Sequence, residues 1–165
     1  MLGSPEVTLR AGAVFPMFLI YENPGPLVGV TLGWRLARPL QLVARGEAGA
    51  LFFDGIQRYQ AKLGAGVRLM PWPRAPMSPW VQLGLGTTAH AERASVVLPE
   101  RTASATELGA VITADAAVGV RIAQRIEIGL GWDHIIVPWS YYNVYTGNES
   151  DPHRGYALAW FGVKL

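Results

Sequence analysis

The chain has no cysteine, which excludes disulfides, thiol catalysis and thiolate metal sites. It is also poor in charge. Asp, Glu, Lys and Arg make up 16% of its 165 residues, against roughly 25% in an average soluble domain. The formal net charge is only +2 and no Lys/Arg cluster is longer than two residues, so nucleic acid is not an expected partner. His90, His134 and His153 stand far apart and lack close ligand spacing, so neither a metal nor another cofactor is expected. Long hydrophobic runs are missing too. The longest charge-free stretch, Ala75 to Ala91, contains Pro76, Pro79, Gln82 and His90, and a helical span needs about 20 mostly apolar residues. Met1-Leu2-Gly3-Ser4-Pro5 has neither the charged segment nor the apolar segment of a secretory signal.

Apolar residues are nevertheless abundant. Half of the chain is hydrophobic and its mean hydropathy is +0.21, which argues against disorder. The apolar residues alternate rather than follow helical spacing. Val28, Val30, Leu32, Trp34 and Leu36 are separated by Gly29, Thr31, Gly33 and Arg35, and Leu108 to Ile122 repeats the pattern. A period of two makes strands with two chemically distinct faces. Eight such segments are expected, at 6–15, 27–37, 40–53, 58–69, 80–92, 108–122, 126–137 and 156–165. At one end they are joined by Arg38-Pro39, the proline-rich Met70–Pro79 and Ala123–Arg125. At the other end lie Pro16–Pro26, Asp54-Gly55, Arg93–Glu107 and Trp139–Gly155, mostly longer and more polar. Eight strands joined in this way predict an all-β fold with a single domain over 1–165, an eight-stranded antiparallel up-and-down β-barrel.

Alternation alone does not say which face is inside. A soluble lipocalin-like calyx hides its apolar face around an apolar ligand, whereas a transmembrane barrel shows that face to lipid. The glycines favour the second arrangement. Thirteen of the 19 share the polar face, where a narrow barrel interior needs small residues beside long ones; a water-facing strand surface gains nothing from glycine. The aromatics agree. Trp34, Trp72 and Trp80 lie near the short-turn end, and Trp132, Trp139, Tyr141 and Tyr142 toward the long-loop end. Two such belts match a bilayer's two interfaces.

Pro79-Trp80-Val81-Gln82-Leu83-Gly84-Leu85-Gly86 resembles the "Pro-aromatic-x-x-x-Gly-x-Gly" opening of the fifth strand in small eight-stranded bacterial outer-membrane β-barrels. Glu107–Arg121 with Ile126–Trp132 resembles their sixth and seventh strands. Tyr156–Leu165 resembles their C-terminal assembly signal, with Leu165 where the family usually carries Phe. The resemblance spans nearly the whole chain and implies a Gram-negative outer-membrane location with periplasmic N- and C-termini. It also implies partners: outer-membrane lipid and lipopolysaccharide around the barrel, and the barrel-assembly machinery during insertion.

The polar face carries Arg10, Arg35, Arg45, Lys62, Arg68, Arg121 and Lys164 against Glu47, Glu92, Asp115, Glu127 and Asp133. These are balanced enough to pair, as buried charges must. They form either an ion pathway or polar cleft, or a solid salt-bridged plug, and eight strands favour the plug. His134 is the one titratable residue on the outer face. Its position resembles the catalytic His of the outer-membrane lipid A deacylases, whose His-x-Ser pair would require Ser where this chain has Ile136. Ser140 and Glu149 are the substitute nucleophile and third partner in such a hydrolase reading. The other reading is a headgroup-level histidine in an aromatic belt. The segment Tyr141–Arg154 mixes aromatics, Asn and charge in the manner of a recognition loop. The resulting expectation is a non-catalytic barrel that presents loops or docks an envelope protein partner. A lipid A-modifying hydrolase and a soluble calyx are the alternatives.

Overall fold

A computed structural model describes residues 5–16, 23–53, 56–98, 101–137 and 155–165. The two-faced segments form strands β1 (Glu6–Pro16), β2 (Gly25–Arg35), β3 (Leu40–Phe53), β4 (Ile56–Leu69), β5 (Met77–Leu98), β6 (Arg101–Ile122), β7 (Ile126–Val137) and β8 (Gly155–Lys164). Each strand pairs antiparallel with its sequence neighbour, and β1 pairs with β8, so the sheet closes into a barrel in the order of the chain. Closure removes the free edges that an open eight-stranded sheet would expose.

Polarity runs opposite to that of a soluble protein. Leu63, Leu83, Leu85, Leu130 and Val118 are exposed on the outer wall, while Arg68, Arg121 and Glu127 are almost wholly buried inside. This overturns the calyx expectation. A calyx keeps its interior for apolar residues, and here much of the interior is charged side chains.

The short-turn end is tightly tied. At the β6–β7 turn the Arg125 N–H donates to Ile122 O at 3.1 Å, and Ala123 and Gln124 take φ of 49° and 62°. Two successive left-handed residues make the type I′ hairpin, whose twist matches that of the flanking strands. This turn also grips the β4–β5 connection. Ala123 N–H donates to Pro76 O at 2.7 Å and the Gln124 side-chain amide to Ala75 O at 2.7 Å.

Several strand ends differ from the sequence reading, and β2, β4 and β5 open at Gly25, Ile56 and Met77, two or three residues early. Strand β2 stops at Arg35, and Leu36–Pro39 is turn. More consequentially, Arg93–Glu107, expected as a loop, is mostly ladder: β5 and β6 stay paired through Arg93↔Thr106 to Leu98↔Arg101. The physical reason is that ladder hydrogen bonds come from the backbone and tolerate almost any side chain. Period-two hydrophobicity marks a strand only where one face must be apolar.

Candidate functional site in the barrel interior

Nine of the twelve charges expected on the polar face are buried: Arg10, Arg45, Glu47, Lys62, Arg68, Asp115, Arg121, Glu127 and Asp133. The strand period carries them there, because each shares parity with its lumenal neighbours. Arg35 and Lys164 are instead partly exposed at the short-turn rim, where both pair with Glu6. They lie at the last positions of their strands, where the wall ends and water reaches them. Glu92 is placed only by its backbone register with Arg58 and Glu107.

The interior is layered. At the short-turn end, Glu127 accepts from Arg68 Nη1 at 3.0 and 3.2 Å and from Arg121 Nε at 2.9 Å and Nη2 at 2.6 Å. Arg68 spends its remaining donors on Gln82 Oε1 at 3.2 and 3.0 Å. Arg121 reaches Glu6 at 3.0 Å, and Gln41 donates to the same carboxylate at 3.1 Å. The fork of each guanidinium is thus divided between two acceptors, which orients it as well as neutralising it.

Above this layer sit two indole rings, Trp80 and Trp160, 6.0 Å apart and 29° from parallel. Arg68 stacks on Trp80 at 4.3 Å and Arg10 on Trp160 at 4.6 Å, giving the continuous series Arg68–Trp80–Trp160–Arg10. Cation–π contacts of this desolvated kind contribute about 2 kcal/mol each. Glycine makes the space. A Cβ on Gly119 would stand 2.4 Å from Trp80 Cζ2, and one on Gly129 2.5 Å from Trp160 Cζ2. Trp80 is therefore a core residue and not the interface aromatic expected from its type. Its parity with Gln82, Gly84 and Gly86 was the better guide.

The next layer joins Arg10 to Glu47 at 3.1 Å. Arg45 reaches Asp115 at 2.8 Å and Asp133 at 3.3 Å. Lys62 contacts the same two carboxylates, Asp115 at 3.8 Å and Asp133 more closely. Toward the loop end the filling becomes apolar, with Val14, Leu27, Leu51 and Leu158 buried. Arg58 donates there to the Tyr156 hydroxyl at 3.4 Å. A small cavity beside Glu47, Lys62 and Asp133 has room for about one water molecule. With Trp80, Arg68, Arg121 and Glu127 all at most 2% exposed, the described interior is a plug.

Sequence reasoning missed Glu6, Arg58 and the apolar loop-end layer. Parity alone finds the two charges, since Glu6 shares the face of Thr8 and Arg10, and Arg58 that of Gln60 and Lys62.

Among the expected interface aromatics, Trp72 and Trp132 are exposed, 64% and 40%, and Trp34 is half-buried. Trp139, Tyr141 and Tyr142 lie outside the described residues, as do Ser140 and Glu149. His134 is exposed on the outer wall, between Ala114 of β6 and Gly155 of β8. It has no hydrogen-bond partner among the described residues. No group of three His, Asp or Glu side chains able to hold a metal lies among them either.

No family model matches the chain, and no curated protein matches it in sequence. Solved structures do match in shape. Neisserial surface protein A aligns with a TM-score of 0.61 at 15% identity over 100% of this chain and 98% of that one. Ail, the attachment invasion locus protein of Yersinia pestis, aligns with a TM-score of 0.55 at 10% identity over 100% of both. The N-terminal β-barrel domain of Pseudomonas aeruginosa OprF gives 0.50 at 13% identity over 99% of both. The fold is that of the eight-stranded outer-membrane barrels.

Proposed function

We propose that this chain is an integral outer-membrane barrel, closed to solutes, whose role is structural and interactive rather than catalytic. Its apolar outer wall meets lipid and lipopolysaccharide, and the barrel-assembly machinery inserts it by way of β8. Its termini and short turns face the periplasm, and its working surface is the loop end.

The observation that carries the interactive role is the β5–β6 hairpin. It stays paired to Leu98↔Arg101, beyond the last β4–β5 pair at Ile56↔Ala94 and the last β6–β7 pair at Ile112↔Val137. Among the described residues, β6 thus has no partner on its β7 side from Arg101 to Val111. Such an edge offers backbone donors and acceptors to an extended segment of an envelope protein. The plug supports the same reading, because a filled interior leaves the outside of the molecule to do the work.

The second reading is a lipid A-modifying hydrolase, favoured by the exposure of His134 on the lipid-facing wall. Mass spectrometry of lipid A from outer membranes with and without the expressed protein separates the two. An unchanged spectrum is expected. Loss of an acyl chain that disappears in His134→Ala would refute the non-catalytic reading.

A further inference from the structure

The ends of the barrel differ in charge. Each of the three short connections carries one arginine and no acid: Arg38 between β2 and β3, Arg74 between β4 and β5, and Arg125 between β6 and β7. By sequence, the connections at the opposite end hold Glu22, Asp54, Glu100, Glu149 and Asp151 against Arg154. All three short-turn arginines are exposed, and none has an ion pair among the described residues. The nearby rim adds to the excess, because among the described residues Glu6 is the one carboxylate paired with both Arg35 and Lys164.

These arginines do not stand on a purely polar surface. Leu36 precedes Arg38 by two residues and is 47% exposed; Trp72 precedes Arg74 by two and is 64% exposed; Met77, which opens β5, is 61% exposed. Exposed Leu36 and Trp72 in the turns of Arg38 and Arg74, with Met77 paired to Ile122 just before the Arg125 turn, put the guanidiniums at the level where hydrocarbon gives way to headgroups. A long arginine side chain there lays its stem on apolar surface and holds its charge in the headgroup layer. Guanidinium forks match phosphate oxygens in pairs.

We infer that the short-turn rim is a docking surface for the phosphate groups of anionic phospholipids in the adjoining leaflet, with Arg38, Arg74 and Arg125 as its principal cations. The inference rests on the membrane-barrel reading above. An acidic soluble protein would find the same charge, but Leu36, Trp72 and Met77 border the exposed apolar outer wall, which in a membrane barrel sets these arginines beside lipid headgroups.

The test is native mass spectrometry of the full chain, released from mixed micelles holding equal amounts of phosphatidylglycerol and phosphatidylcholine with matched acyl chains. Near a membrane surface each basic residue contributes about fivefold in affinity. With incomplete additivity, the wild-type barrel is expected to retain phosphatidylglycerol over phosphatidylcholine by about tenfold. Salt should weaken that preference. The triple variant R38Q/R74Q/R125Q should bring it near unity, while Arg93→Gln, exposed at the loop end, should leave it intact. No wild-type preference, or an equal preference in the triple variant, overturns the inference. So does binding of soluble polyglutamate that depends on the three arginines in the absence of lipid preference, which would assign the rim to an aqueous acidic partner. Failure of the wild-type chain to insert into vesicles at all would instead refute the membrane-barrel reading.

Discussion

Glu127 tests whether the interior is held by specific pairing or merely filled. Its side chain is 0% exposed and accepts from both Arg68 and Arg121. Glu127→Leu leaves two buried guanidiniums facing one another with one acceptor fewer each. Removing one partner of a buried pair costs about 3–5 kcal/mol. Arg68 keeps Gln82 and Arg121 keeps Glu6, so the lower half of that range is expected. Glu127→Gln retains an acceptor oxygen but not the charge and should cost about 1.5–3 kcal/mol, the scale of a hydrogen bond to a charged group. Arg68→Leu/Glu127→Leu should recover part of the loss, because no carboxylate is then missing opposite Arg68. Arg35→Gln is the control: its pair with Glu6 is partly exposed, at 38% and 20%, and should cost at most about 1 kcal/mol. The assay is reversible urea unfolding in vesicles, followed by the heat-dependent gel shift of the folded barrel. Equal and small effects of Glu127→Leu and Arg35→Gln would refute the pairing argument and leave packing alone as the source of rigidity.

Three further outcomes are expected. Val118→Arg places a charge on the exposed outer wall and should cost about 2–4 kcal/mol near the bilayer midplane in vesicle refolding titrations; no measurable cost would show that this wall meets water instead of lipid. Gly119→Val drives a side chain into Trp80 and should destabilise by about 1–3 kcal/mol through overpacking, with a change in tryptophan emission from the disturbed indole pair. Ala123→Asn replaces a residue held at positive φ by one that tolerates it and should raise stability by up to about 1 kcal/mol, read from the same urea curves.

Most of the fold was legible along the chain because a barrel wall is a local pattern repeated eight times. Each strand has to present alternate residues to two different surroundings, the charged interior and the outside, so Val28 to Leu36 and Leu108 to Ile122 declare themselves without knowledge of their neighbours. The same rule sorted nine buried charges correctly. It failed where residue type was allowed to outweigh parity, as at Trp80. It failed again where strands run on with no apolar face to maintain, as at Arg93–Glu107. The loop-end layer of Val14, Leu27, Leu51 and Leu158 was hidden for a related reason. Its members are apolar on the face labelled polar, and nothing in a single strand says where along the barrel the filling changes.

Period-two alternation, the absence of charge from one face and the placing of glycine on the other are properties of successive residues. By themselves they determined eight strands, their antiparallel order and the outward direction of the apolar wall. Partner choice belongs to the tertiary structure alone. Arg45 meets Asp115 and Asp133, far away in sequence, only because closure brings β3 opposite β6 and β7 across the lumen at one height. Glu127 comes to lie between two arginines, and Trp80 against Trp160, by the same closure. Those contacts depend on the register of all eight strands at once, and no local segment contains that information.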